Sequence, residues 1–523
     1  MFFKAKILDD EYFWGGAVND APDMPVCKDS KYSRDYRIDA TNQFMPFFIS
    51  SKGRYIWSDK GFKVWIDDGY LCFEGEGEFV LYDGGTCLRD AYLHVMNKYF
   101  PFEETRKNGK QLPREFFKSA QFNCWTEFDY EPTQKKILEY AHGIIDNGFE
   151  PGILMIDEGW HTRYGQWKFD LHKFPNPKAM IDELHDLGFI VMLWITPYVT
   201  ADGVDFCKAT SDLFSPDTYD KQFLRTKEGE VAIVKWWNGY SAILDLRKEC
   251  DQKYLSERLD FLMKEYGVDG FKCDGGSYHG YSAECLINGT PADDHDQEEL
   301  NRAWNEFGRK YKFHEYKDTF KGGGLPTIQR LCDREHSWTR YGIGTLLPCA
   351  ILQGLFGHPF ICPDMIGGGS WLDKYLPNFK LDEELFIRMA QASALFPMMQ
   401  FSLMPWKHLS KEAFDSVYDA YRLHIKFAYK IIKEVENAEL TGEPILRCLE
   451  YNYPNKGYAS ITDEIMLSED ILICPITTKG TIKKEIVLPK GYWTDEIGKI
   501  YKGDRTILLD TPVNKLIWFR KIT

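Results

Sequence analysis

Hydrophobic and polar positions change their rhythm twice along the chain. The early stretch "KGFKVWIDDGYLCFEGEGEFVLYDGG", residues 60–85, alternates apolar and polar residues between Gly and Asp-Gly turns. That two-residue period predicts antiparallel sheet over the first part of the chain. From about residue 117 the period lengthens. "QFNCW" reads as a short strand. "PTQKKILEYAHGIIDNGF" then puts Ile137, Leu138, Ala141, Ile144 and Ile145 on one helical face and stops at Gly148. "GILMID", "PKAMIDELHDLG" and "FIVMLWITPY" follow as strand, helix and strand. "YLSERLDFLMKEYG" lines up Leu255, Leu259, Leu262 and Tyr266 and feeds into "VDGFKCDGG". "LPTIQRLCD" and "HPFICPDMIGG" are later strand candidates. Repeated strand–helix units imply a parallel sheet covered by helices, and at least six of them over roughly 300 residues favour a closed barrel. After about residue 435 the pattern returns to β, as in "ILICPITTKGTIKKEIVLPKGYW". The predicted class is α/β: a (β/α)8 TIM barrel at 111–430, flanked by an N-terminal β-sandwich at 1–110 and a C-terminal β domain at 431–523.

Barrel strands deliver chemistry at their carboxyl ends. Those ends hold Trp125 and Glu127, then Asp157, Glu158 and Trp160, then Trp194 and Pro197. Lys272 and Asp274 come next, then Arg330 and Asp333, then Asp364 ahead of Gly367, Gly368 and Gly369. Side chains alternate along a strand, so Lys272 and Asp274 share a face opposite Phe271 and Cys273. A charge on a buried strand must meet a partner, a ligand or water.

Composition narrows the partners. The net charge is -15 and aromatics make up 15% of residues, with 15 Trp and 30 Tyr. An acidic chain disfavours nucleic acid and anionic membranes and suits a neutral substrate, for which aromatic rings are stacking surfaces. No 18-residue apolar run and no signal-peptide h-region is visible, so no membrane span is expected. The 13 Cys are scattered without CxxC spacing, with Cys273, Cys362 and Cys474 in apolar runs. That pattern suits reduced thiols in the cytoplasm and no zinc site. The acidic run "DDHDQEE", 293–299, reads as a helix start rather than a metal cluster. His161, His172 and His185 lack ligand spacing and read as surface or hydrogen-bonded core residues. "KGGGLP" lacks the Lys-Ser/Thr of a phosphate loop. "WWNG", 236–239, reads either as a sugar platform or as buried packing.

Paired carboxylates among aromatic platforms are what glycoside hydrolysis requires. One carboxylate attacks the anomeric carbon. The other, kept protonated, serves the departing oxygen. A Lys beside the nucleophile would keep it ionised, which gives Lys272 a role next to Asp274.

Three stretches carry a family resemblance. "GVDGFKCDGG" is similar to the nucleophile strand of glycoside hydrolase family 31, "CDREHSW" resembles its acid/base segment, and "GHPFICPDMIGGG" resembles its Gly-X-Pro-Phe…Asp-X-Gly-Gly stretch. "SKGRYIWSD" fits the family's N-terminal β domain, and "ILICPITTKG…VLPKGYWTD" fits the domain after its barrel. The resemblance covers nearly the whole chain. It implies a retaining, exo-acting α-glycosidase without metal or organic cofactor, with Asp274 as nucleophile and Asp333 as acid/base. The implied substrate-binding residues are Trp125, Asp157, Glu158, Trp194, Trp237, Lys272, Arg330, Trp338 and Asp364. Retention implies carboxyl groups roughly 5–5.5 Å apart. The chain departs from the family's α-glucosidases in three places. "FPMMQFSLMPW" lacks an Arg-X-His, "RLCD" replaces Trp-X-Gly-Asp, and Glu158 is followed by Gly. These features resemble a branch with a "PDMIGG" stretch and α-galactosidase activity, so galactose and glucose both stand as candidate sugars. The expected partner is an oligosaccharide or small α-glycoside; a homo-oligomer is left open. Two rival readings are an elimination (lyase) reaction on the same scaffold and a carbohydrate-binding protein without turnover.

Overall fold

The computed structural model describes residues 1–522 except 39–42, 101–110, 211–221, 371–373 and 378. Of the described residues, those between Phe122 and Lys321 form one compact unit and the rest form the other.

The unit of 122–321 is built on parallel strands. Ile153–Ile156 pairs with Ile190–Ile195, which pairs with Gly270–Cys273, which pairs with Phe313–Tyr316. On the other side of Ile153–Ile156, Leu154 pairs with Phe122 and Met155 with Asn123. The strands are buried on both faces, as expected when helices cover a parallel sheet. The crossover helices form where the period predicts. Gln134–Asp146 is capped by Thr133 and buries Ile137, Tyr140, Ala141 and Ile144, while Leu138 and Ile145 sit half-buried at the flanks of that face. Glu249–Phe261 buries Leu255 and Leu259. The acidic run is a helix start: Asp296 caps Gln297–Gly308 by accepting from the Glu298 and Glu299 amides. A hairpin, Ile233–Trp236 with Gly239–Ile243, stands apart from the parallel strands and pairs with Tyr198–Thr200.

One register position explains a glycine. Gly270 pairs with Phe313, and a Cβ there would meet the Phe313 carbonyl oxygen at 2.0 Å. Only a bare Cα allows this approach at the start of the Lys272 strand.

The other unit begins with the predicted antiparallel sheet. Phe62–Asp67 and Tyr70–Gly75 pair around Asp68 and Gly69, both at positive φ, as a two-residue hairpin demands. Phe2–Lys6 and Ser33–Asp35 flank them, and Phe13–Ala17, Gln43–Ser50, Arg54–Trp57 and Val80–Asp83 form a second antiparallel sheet. Their facing rings make the core: Phe48 lies 5.7 Å and Phe62 5.3 Å from Phe73. Gln43 donates to the Gln329 side chain and to the Arg330 carbonyl. In the same unit Ile328–Arg330 pairs in parallel with Ile361–Cys362, and Met365–Ile366 with Gln400–Phe401. The helix Lys411–Thr441 ends at Gly442, whose φ of 76° closes it. The C-terminal sheet runs Leu446–Arg447, Ile465–Leu467, Ile471–Ile473, Trp518–Lys521, Tyr492–Thr494, Ile500–Lys502. It buries Met466, Leu472, Trp493 and Phe519.

Candidate active site

Strand register sets the first group. Trp194 is level with Lys272, and Leu193 with Ile156, so Asp157 comes one step beyond its strand at the level of Trp194. Lys272 Nζ reaches Asp157 Oδ2 at 2.5 Å, with both side chains under 5% exposed. This corrects the expected pairing of Lys272 with Asp274. Alternation does put the two on one face, but the ammonium is taken by a carboxylate 115 residues earlier. Burial explains the choice: Asp157 is the fully enclosed anion and Asp274 is half-buried. Asp157 also accepts from Asn123 Nδ2 at 2.8 Å on the same oxygen and from the Glu158 amide at 2.8 Å on the other.

Asp274 is oriented from elsewhere. Trp194 Nε1 donates to Asp274 Oδ2 at 3.1 Å, and the Gly275 amide donates to Oδ1 at 2.9 Å. The strand then turns over through Gly275 and Gly276, at φ 62° and 59°. A Cβ on Gly275 would meet Tyr198 Cε2 at 2.7 Å. The turn and the packed ring leave the carboxylate at the strand end, half-buried and oriented by the Trp194 and Gly275 donors.

The other group lies in the other unit. Arg330 Nη1 donates to Asp333 Oδ1 and to Asp364 Oδ1, each at 2.7 Å. The guanidinium is 1% exposed, Asp364 is sealed, and Asp333 keeps 42% of its side chain open. Asp364 sits at φ 77° and takes the Arg334 amide on Oδ2 at 2.9 Å. Gly369 is required beside it, since a Cβ there would meet Oδ2 at 2.4 Å. Burial pushes the Asp364 carboxyl up while the Arg330 guanidinium pulls it back.

The family model described as the glycosyl hydrolases family 31 TIM-barrel domain matches residues 115–433, and the family's C-terminal domain model matches 442–521. The chain belongs to glycosyl hydrolase family 31. Its fold class is therefore the expected one, a TIM barrel with β domains before and after. The mouse myogenesis-regulating glycosidase is 26% identical over 438 residues, 82% of this chain and 59% of that protein. Alpha-glucosidase 2 of Bacillus thermoamyloliquefaciens is 23% identical over 76% of this chain and 51% of its own length. The chain thus spans a little over half of these relatives. Among solved structures, a Flavobacterium johnsoniae family 31 dextranase complexed with glucose superposes with a TM-score of 0.80 at 20% identity. It covers 99% of this chain and 66% of the dextranase chain.

The family 31 chain places the remaining predicted residues as follows. Trp125 is buried, its amide bonded to Asn123 Oδ1 at 2.8 Å. Glu158 accepts from the Tyr164 hydroxyl at 2.6 Å and from the Asn238 amide. Burial first, then the charges of Asp157 and Asp274, push its carboxyl up to about 8 against the pull of the Tyr164 donor. The two tryptophans of "WWNG" differ in burial. Trp236 packs on Tyr198 with ring centres 4.3 Å apart, and Trp237 at the turn is 54% exposed. Trp338 Nε1 donates to Asp382 Oδ2 at 3.0 Å.

His185 pairs with Asp269 at 2.9 Å. His161 differs from the expected hydrogen-bonded residue: it is buried against Tyr164, Trp167 and Trp194, and burial lowers its pKa to about 3. Sequence reasoning missed Asn123, Tyr164, Asn238, Arg334 and Asp382. The one visible signal was Asn123, a polar residue in the middle of the buried strand stretch "QFNCW". Among the described residues no cysteine forms a disulfide, and no helix is long and apolar enough to cross a membrane.

Proposed function

We propose that the protein is an exo-acting α-glycosidase that works by double displacement with retention of configuration. The carrying observation is the carboxylate of Asp274, half-buried at a strand end and oriented by Trp194 and the Gly275 amide. In this reading Asp274 attacks the anomeric carbon as its bond to the leaving oxygen breaks, and Asp333 gives that oxygen its proton. Water then opens the glycosyl ester, with Asp333 taking the water's proton. Asp157 and Asp364 are assigned to the sugar hydroxyls, Lys272 and Arg330 to orienting carboxylates and hydroxyls, and Trp125, Trp194 and Trp237 to the pocket walls. The substrate is an oligosaccharide or small α-glycoside ending in galactose or glucose. Relatives named for α-glucosidase and α-xylosidase activity support the α-linkage. Thirteen cysteines without a disulfide among the described residues support a reducing, cytoplasmic setting.

The test is a panel of p-nitrophenyl α-galactoside, α-glucoside, α-xyloside and α-N-acetylgalactosaminide, with the first-formed anomer read by proton NMR. The α-anomer is expected first, and Asp274→Ala should abolish turnover. The β-anomer first would refute double displacement, an anhydro-sugar would move the protein to elimination, and undiminished turnover in D274A would remove Asp274 from the chemistry.

A further inference from the structure

The acid/base loop is held by a residue that sequence reasoning passed over. Asp382 precedes the helix Glu383–Ser393 and caps it, Oδ1 accepting from the Leu385 amide at 3.2 Å. Its other oxygen accepts from Trp338 Nε1 at 3.0 Å and from Lys479 Nζ at 2.6 Å. Its own amide donates to His336 Nε2 at 2.8 Å. His336 therefore carries its proton on Nδ1, which lies 2.8 Å from the Gly367 carbonyl oxygen and donates to it. Two side chains of the loop 333–338 thus end on one aspartate, three and five residues beyond Asp333. The Gly-rich turn closes the other side, where the Gly369 and Ser370 amides both donate to the Arg334 carbonyl. Lys479 lies in the segment matched by the C-terminal domain model, and the neighbouring Gly480 amide donates to Glu384 Oε1 at 3.1 Å. The turn at Lys479–Gly480 therefore grips the same helix start.

We propose that Asp382 is a positioning residue for the acid/base step, and that Lys479 ties this clamp to the C-terminal domain. The inference rests on Asp333 being the acid/base. A carboxyl that is 42% open and meets Arg330 at the surface of its loop keeps its aim only while the loop leaving it is fixed. Asp382 fixes that loop at Trp338 and His336. It touches no reacting atom, so its effect must appear only where proton donation matters.

Leaving-group dependence reads this directly. A glycosyl fluoride departs with little need of a proton, whereas a methyl α-glycoside requires one, and kcat/KM reports the glycosylation step. D382A should lose ~10-fold more in kcat/KM toward the methyl glycoside than toward the fluoride, part of the roughly 10²–10⁴-fold that a general acid contributes. D382N keeps a cap acceptor and K479A leaves the cap untouched. Both should show the same bias at smaller size, and they carry the test if D382A does not fold. Equal losses on both substrates, or none, would overturn the inference. D333A run alongside separates the two claims. A bias in D333A without one in the Asp382 and Lys479 variants removes the clamp alone. No bias in D333A removes Asp333 as the acid. A parent inert on both substrates removes the reading and the clamp together.

Discussion

Lys272→Met isolates the buried ion pair. Lys272 Nζ and Asp157 Oδ2 are 2.5 Å apart, which at an effective dielectric of about 20 is a gross attraction of about 7 kcal/mol. Most of that offsets the desolvation of two enclosed charges. Removing one partner strands the other, at a typical cost of about 3–5 kcal/mol. Asp157 keeps two donors, the Asn123 side chain and the Glu158 amide, which places the expected loss near the low end, about 3 kcal/mol. Urea unfolding followed by tryptophan fluorescence, compared at equal slope, measures it. The double variant K272M/D157N, with no buried charge left at this site, should be more stable than K272M alone. A cost below about 1 kcal/mol, or a double variant whose loss equals the sum of the singles, would refute the burial argument.

Glu158→Gln tests the raised carboxyl. With a folded pKa of about 8 against 4.5 unfolded, the folded state holds the proton more tightly. The resulting stability is full below pH 4.5 and is lost as pH rises through 8. The slope in that window is at most about 1.4 kcal/mol per pH unit. Stability of E158Q should therefore decline less between those pH values than that of the parent; parallel curves would exclude the shift. Gly270→Ala forces a Cβ to within 2.0 Å of the Phe313 carbonyl. A lower thermal midpoint is expected, and an unchanged one would show that the strand pair can open. Arg330→Lys keeps the charge but replaces the one rigidly placed nitrogen, Nη1, that donates to both Asp333 and Asp364. A fall in kcat/KM of more than ~10-fold is expected from this loss of geometry, and activity equal to the parent would show that a point charge suffices.

Much of the architecture was legible in the chain. The period-2 stretch at 60–85 became paired antiparallel strands, and the helical face of Ile137, Ala141 and Ile144 is the buried one. "DDHDQEE" started a helix as its acids suggested. These are local outcomes, because backbone geometry decides which side chains share a face and where a helix can begin.

The chain by itself determined that Lys272 and Asp274 share a face, that Asp333 and Asp364 follow strands, and that glycines surround them. Only the tertiary structure decided who meets whom. Lys272 went to Asp157, Trp194 to Asp274, Arg330 to two carboxylates at once, and Trp338 to Asp382. Alternation costs nothing to read because it repeats every two residues. A partner for a buried charge is settled by the desolvation that charge suffers once distant strands have packed around it, and no spacing in the sequence carries that quantity.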